Sequence, residues 1–245
     1  MLRYGKLDSW RGFWLVNMIV YHAVWDLLFF GTPQRLDLLF SAPLVIWQQA
    51  ICWSFIWLSG FVVGIGKRPL RRAITILLAG ALVTLTTLWV WPEMAIWFGI
   101  LTCIGSCMLL TSWLLPLLRR VLAQAGWWLS ALFFALTFQV ADGILGNAFL
   151  FSITLPEHWY SGMIATYFGL PDPRFQALDY FPLLPWVFLF LNGYFSFCHC
   201  AAKGQLPKLV TTNFPTLALL GRHTLPIYLL HQPILYLLFM IFLSK

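Results

Sequence analysis

Charge is the property this sequence has least of. Only 9% of its 245 residues are charged, and just eight are acidic. A soluble domain carries about 25% charged residues, so too little polar material is present to cover a globule in water. The hydrophobic share of 61% and the mean hydropathy of +0.82 point the same way. No stretch is left over for a separate soluble domain, and residues 1–245 read as one membrane domain. Cysteine is sparse as well. Cys52, Cys103, Cys107, Cys198 and Cys200 all fall in apolar segments, as small buried hydrophobes do. Cys198-His199-Cys200 has no second ligand pair at a zinc-like spacing, so no metal is expected. Arg3, Lys6 and Arg11 before an apolar stretch resemble a signal peptide. The stretch is too long and no small-x-small cleavage site follows it, so it reads as a retained helix.

What is abundant is long apolar runs. A helix needs about 20 such residues to cross the hydrocarbon core. Candidate runs lie at 10–30, 43–66, 73–91, 96–117, 126–146, 180–200 and 223–243. The expected fold is all-α: a polytopic bundle of about seven spans, six to eight allowed. Segments 147–179 and 204–222 resist assignment and leave room for re-entrant or interfacial helices. The net charge of +7 does not form one basic face, which argues against nucleic acid. Instead 12 of the 15 Lys and Arg flank the spans on one side, leaving Arg35, Arg174 and Lys245 on the other. The positive-inside rule then puts the N-terminus in the cytoplasm. Gly60 and Gly64 form a small-residue step, a packing signal in membrane helices.

The informative residues are those that break the apolar pattern, because polar groups at membrane depth are costly. His22 and Asp26 are four apart and share a helix face. His22 falls roughly 16 Å beyond Arg11, near mid-membrane, at about 1.5 Å rise per residue. A carboxylate beside an imidazole can orient it and raise its basicity. The pair therefore reads either as a general base or as polar glue between helices. His231 and Gln232 precede Pro233, which frees a backbone carbonyl one turn earlier. That suggests a hydrated site, or a kink with satisfied side chains. Asp179 precedes Pro182, Pro185 and Trp186, and reads as a helix cap or as the wall of an outer mouth. Arg68, Arg71 and Arg72, with Lys67, form the densest basic cluster, set either by topology or by a phosphate ligand.

Several stretches taken together resemble the heparan-alpha-glucosaminide N-acetyltransferase family, in its bacterial form. They are Leu7–Gly12 running into Met18–Leu27, Phe98–Leu101, Asp179–Trp186 with Gly193, and Leu220–Pro233. The resemblance spans nearly the whole chain. It implies transfer of an acyl group, acetyl foremost, from cytoplasmic acyl-CoA to a sugar-like amine or hydroxyl on the outer side. His22 would be the base, assisted by Asp26. Arg11, Arg222 and His223 fall on the matching stretches and would hold the acyl donor, with Arg68, Arg71 and Arg72 added from the basic cluster read above. Asp179, Trp186, His231 and Gln232 would face the acceptor. The partners implied are the lipid bilayer of a bacterial inner membrane, acetyl-CoA and the acceptor, with a homodimer left open. Two other classes stay on the table: a small proton- or solute-conducting transporter, and a non-catalytic membrane scaffold.

Overall fold

A computed structural model describes residues 4–31, 33–147, 151–211 and 214–243. Arg3 and Lys245, both counted for topology above, lie outside the described residues. The helices are α1 (Gly5–Asp26), α2 (Ala42–Val63), α3 (Pro69–Val90), α4 (Ile100–Leu118), α5 (Ala123–Thr137), α6 (Gly162–Phe168), α7 (Trp186–Ala202), α8 (Pro215–Arg222) and α9 (Thr224–Leu243). Five segments are long and apolar enough to cross a membrane: Gly5–Gly31, Ala42–Val63, Pro69–Val90, Ile100–Leu118 and Thr224–Ile241. α7 is a shorter apolar helix. Trp89 and Trp113 expose 85% and 79% of their surface on such segments, as side chains facing lipid do. The chain is a multi-pass membrane protein.

Two expectations need correction. The fifth apolar run does not continue to residue 146. α5 has 15 residues and is roughly 22 Å long, short of the hydrocarbon core of about 30 Å. Gly143 then adopts φ +84, a left-handed turn that suits glycine. The chain enters an antiparallel hairpin, β1 (Ile144–Asn147) with β2 (Phe151–Thr154), pairing Ile144 with Thr154 and Asn147 with Phe151. The fold is therefore mostly helical rather than all-α. The sixth run also starts later than expected. Pro182 precedes the helix and Pro185 is its N-cap, so α7 begins at Trp186. Among the described residues the two unassigned segments hold short helices, α6 and α8, beside 3-10 turns, loops and part of the hairpin.

The chain divides into two compact units, Met1–Phe55 with Gly204–Lys245, and Ile56–Lys203; the boundary falls inside α2. In the first unit, Leu15, Met18, Tyr21 and Ile51 form a buried core, with Trp14, Trp47, Leu220, Ile227 and Tyr228 packed around it. Two glycines bring α1 and α8 into backbone contact. A Cβ at Gly12 would overlap the Leu217 carbonyl, and one at Gly221 would overlap the Asp8 carbonyl. Ser9 Oγ donates to the Phe214 carbonyl at 3.1 Å, and the Gly5 amide donates to the Val210 carbonyl at 2.9 Å.

In the second unit the Gly60/Gly64 step is used within the chain. A Cβ at Gly60 would meet the Phe190 backbone, one at Gly64 the Phe197 ring, and one at Gly193 the Trp57 carbonyl. The later part of α2 thus packs on α7 by close approach, as small residues permit. Asn192 fastens this contact. Its Oδ1 accepts from Trp57 Nε1 at 3.1 Å, and its Nδ2 donates to the Trp127 carbonyl of α5 at 3.0 Å.

Candidate functional site

The first unit gathers four of the polar residues that the apolar pattern singles out: His22 and Asp26 on α1, His231 and Gln232 on α9. The rings of His22 and His231 meet with centroids 4.8 Å apart and planes at 79°. His22 Nδ1 lies 2.9 Å from the Met18 carbonyl, and His231 Nδ1 bonds the Tyr228 carbonyl. A carbonyl only accepts, so in each neutral ring Nδ1 carries the proton and Nε2 is left with its lone pair. The partner that orients His22 is thus a backbone carbonyl of its own helix. Asp26 serves a different neighbour.

Asp26 is fully buried, and its Oδ1 accepts from Gln232 Nε2 at 2.9 Å. Among the described residues its Oδ2 is buried without a partner, as are Gln232 Oε1 and His231 Nε2. All three atoms are hydrogen-bond acceptors when the carboxylate is ionised and His231 takes the tautomer above. Buried polar groups are normally paired, so the cluster holds a surplus of acceptors over donors. A ligand bringing N–H or O–H groups matches that surplus. α1 widens into a π-turn over Leu27–Gly31 immediately after Asp26. Such turns are frequent at functional sites, and no sequence signal marks this one.

At the other end of α1, Asp8 links two of the basic residues. Its Oδ1 lies 3.3 Å from Arg11 and its Oδ2 lies 3.7 Å from Arg222 Nε. Sequence reasoning missed Asp8, although it stands three residues before Arg11. His223, exposed, sits at the junction of α8 and α9. With Arg222 at the α8–α9 junction, α1 and α9 therefore run in the same direction between two shared clusters. One is built on Asp8, Arg11 and Arg222, and the other on His22, Asp26, His231 and Gln232.

The remaining expected residues belong to the second unit. Arg68, Arg71 and Arg72 are exposed at the start of α3. Trp186 is buried, with its ring against Phe134, Phe138 and Phe181, an arrangement that packing accounts for. Asp179 does cap a helix, but α4 and not α7: its Oδ2 accepts the Ile100 amide at 3.2 Å. Burial raises its carboxyl to about 6, and the Ile100 amide partly offsets that rise. In the same unit Asp172 is held below the usual carboxylate range by the backbone amides of Gly162 and Arg174. Among the described residues no group of three or more His, Cys, Asp and Glu is placed to hold a metal ion.

Apolar helices of spanning length and a histidine-centred polar cluster define a class: polytopic membrane proteins with ionisable groups set among their helices. The family profile for the heparan-alpha-glucosaminide N-acetyltransferase catalytic domain matches residues 3–233. The chain belongs to that family. No curated protein and no solved structure was found to match it.

Proposed function

We propose that this protein is an integral-membrane acyltransferase that moves acetyl from acetyl-CoA to a sugar-like amine or hydroxyl. The observation that carries the reading is the pair of clusters joining α1 to α8–α9, basic at one end and acceptor-rich at the other. Guanidinium forks match phosphate oxygens, and Arg11 and Arg222 stand together around Asp8. The acyl donor would lay its phosphates there, with His223 beside them and its thioester reaching toward His22. Sidedness follows from the basic residues. The Asp8 end is cytoplasmic by the positive-inside rule, and the acceptor enters from outside. On this reading the chain is a single catalytic domain of a bacterial inner membrane.

The chemistry needs few groups. The acceptor's amine or hydroxyl attacks the thioester carbonyl while His22 Nε2 takes its proton. The tetrahedral centre collapses, the C–S bond breaks, and the thiolate receives that proton from the imidazolium. Acetylated acceptor and free CoA thiol result. Asp26, Gln232 and His231 present acceptors to the remaining N–H or O–H groups of the substrate, and their excess selects a donor-rich partner. The Gln232 amide is also at hand for the developing oxyanion. A phosphate ligand for Arg68, Arg71 and Arg72 rests on their basic cluster alone, and acceptor contact for Asp179 and Trp186 on the family resemblance; the reading of this site rests on the first unit.

The test is transfer of labelled acetyl by protein in lipid nanodiscs, offered acetyl-CoA and an amino sugar or polyol. Labelled product from the wild type and none from His22→Ala, with donor binding kept, is the expected result. A wild-type protein that neither binds acetyl-CoA nor releases its thiol overturns the reading.

A further inference from the structure

α1 carries a polar group for which the scheme above has no use. The indole Nε1 of Trp14 is buried and has no hydrogen-bond partner among the described residues. Such a donor is rare, because a buried N–H without an acceptor has given up water for nothing in return. The ring is held in place. Trp10 and Phe13 meet it edge to face, and it packs against the core around Leu15, Met18 and Tyr21.

Its position along the helix is specific. Trp14, Met18 and His22 follow at steps of four, and Arg11 stands three residues before Trp14. All four therefore line one face. At about 1.5 Å rise per residue, Trp14 lies roughly 5 Å from the level of Arg11 and roughly 12 Å from that of His22. Leu220, Ile227 and Tyr228 pack against the same core as Trp14.

We propose that Trp14 binds the acyl donor's pantetheine arm, its Nε1–H donating to the carbonyl of the amide farther from the thioester. The inference rests on the acetyl-CoA reading and deepens it. A pantetheine arm is an otherwise flexible, largely apolar chain with two secondary amides between its phosphate and its thioester. With the phosphate at Arg11 and Arg222 and the thioester at His22, the amide nearer the phosphate falls at the level of Trp14. One fixed N–H there sets how far the arm reaches along α1. It also separates a pantetheine thioester from an alkyl one.

Trp14→Phe removes the N–H and keeps an aromatic ring. It is compared with wild type on three donors: acetyl-CoA, S-acetylpantetheine, and S-acetyl-N-acetylcysteamine, which keeps only the amide near sulfur. The readout is kcat/KM or, for a donor that turns over slowly, Ki against acetyl-CoA. The expected result is a fall of about tenfold for the first two, the scale of one hydrogen bond, and no change for the third. An equal fall for all three assigns the ring to packing and overturns the proposal, as does no fall for any. Calorimetric binding of acetyl-CoA separates the two levels of the reading. Binding weakened by Trp14→Phe in a protein that transfers to no acceptor sinks group transfer and keeps the contact. A wild type that binds neither acetyl-CoA nor S-acetylpantetheine sinks both.

Discussion

His22 and His231 meet edge to face, 4.8 Å between ring centroids, and each turns its Nδ1 to a carbonyl of its own helix. Two Nε2 lone pairs are thereby offered at one place, and the two histidines should divide the work. His22 stands directly in line with the basic end of α1. His22→Ala is expected to lower kcat by about 10²–10⁴, the usual contribution of a positioned base, with donor binding unchanged. His231→Asn is expected to raise the acceptor KM and to change kcat by less than about tenfold, a hydrogen-bond-sized effect. Steady-state kinetics with both substrates varied decides it. A larger kcat loss in His231→Asn reverses the assignment.

The Asp26–Gln232 bond makes a prediction about stability that needs no substrate. Gln232→Leu leaves both Asp26 oxygens buried without a partner, and Asp26→Leu orphans the Gln232 amide. Each single change should cost about 1–3 kcal/mol. The double change removes both halves of the pair and should cost clearly less than the sum, because the two residues are coupled. Thermal unfolding in one detergent, scored as a double-mutant cycle, gives the coupling. Additive effects would mean that the bond contributes nothing.

Close approach of α1 and α8 is the device that carries Arg222 to Asp8. Gly221→Ala puts a methyl into the Asp8 carbonyl, and neither backbone can yield without separating the helices. Overpacking of this kind costs about 1–3 kcal/mol. The melting temperature should fall, and affinity for acetyl-CoA should fall with it, since the arginines part. Gly204→Ala is the control: φ +64 makes it mildly strained, but open space surrounds it. Its effect on donor affinity should be nil. Unchanged acetyl-CoA binding in a folded Gly221→Ala protein would falsify the link between helix contact and donor site.

The long apolar helices were legible because hydrophobic length is a local property, and so were the polar breaks at His22, Asp26, His231 and Gln232. The end of α5 was not. Phe138, Val140, Ile144 and Leu145 keep hydropathy high past the true terminus, and the turn at Asp142-Gly143 is too short to lower it. Pairings across the chain were illegible for a different reason. Nothing in the local pattern of α1 says that it lies against α9, so two polar breaks could be found but not joined. Asp179 shows the same limit. Its neighbours in sequence suggest a cap for α7, whereas its partner is the Ile100 amide, 79 residues earlier.

That cap carries the last prediction, a pH dependence. Burial raises the Asp179 carboxyl to about 6 in the folded chain, above its ordinary value near 3.9 when unfolded. Between those two pH values the folded protein keeps a proton that the unfolded chain has released. The contribution to stability is therefore greatest at low pH, declines as pH rises through this window, and is level above it. Asp179→Asn keeps an oxygen for the Ile100 amide but has nothing to ionise. Its melting temperature relative to wild type should climb from about pH 4 to about pH 6.5 and then stay constant. Asp179→Ala loses the cap as well, and should lie below Asp179→Asn at every pH. A difference between Asp179→Asn and wild type that does not change with pH would show that the carboxyl is not held in the buried position that raises it.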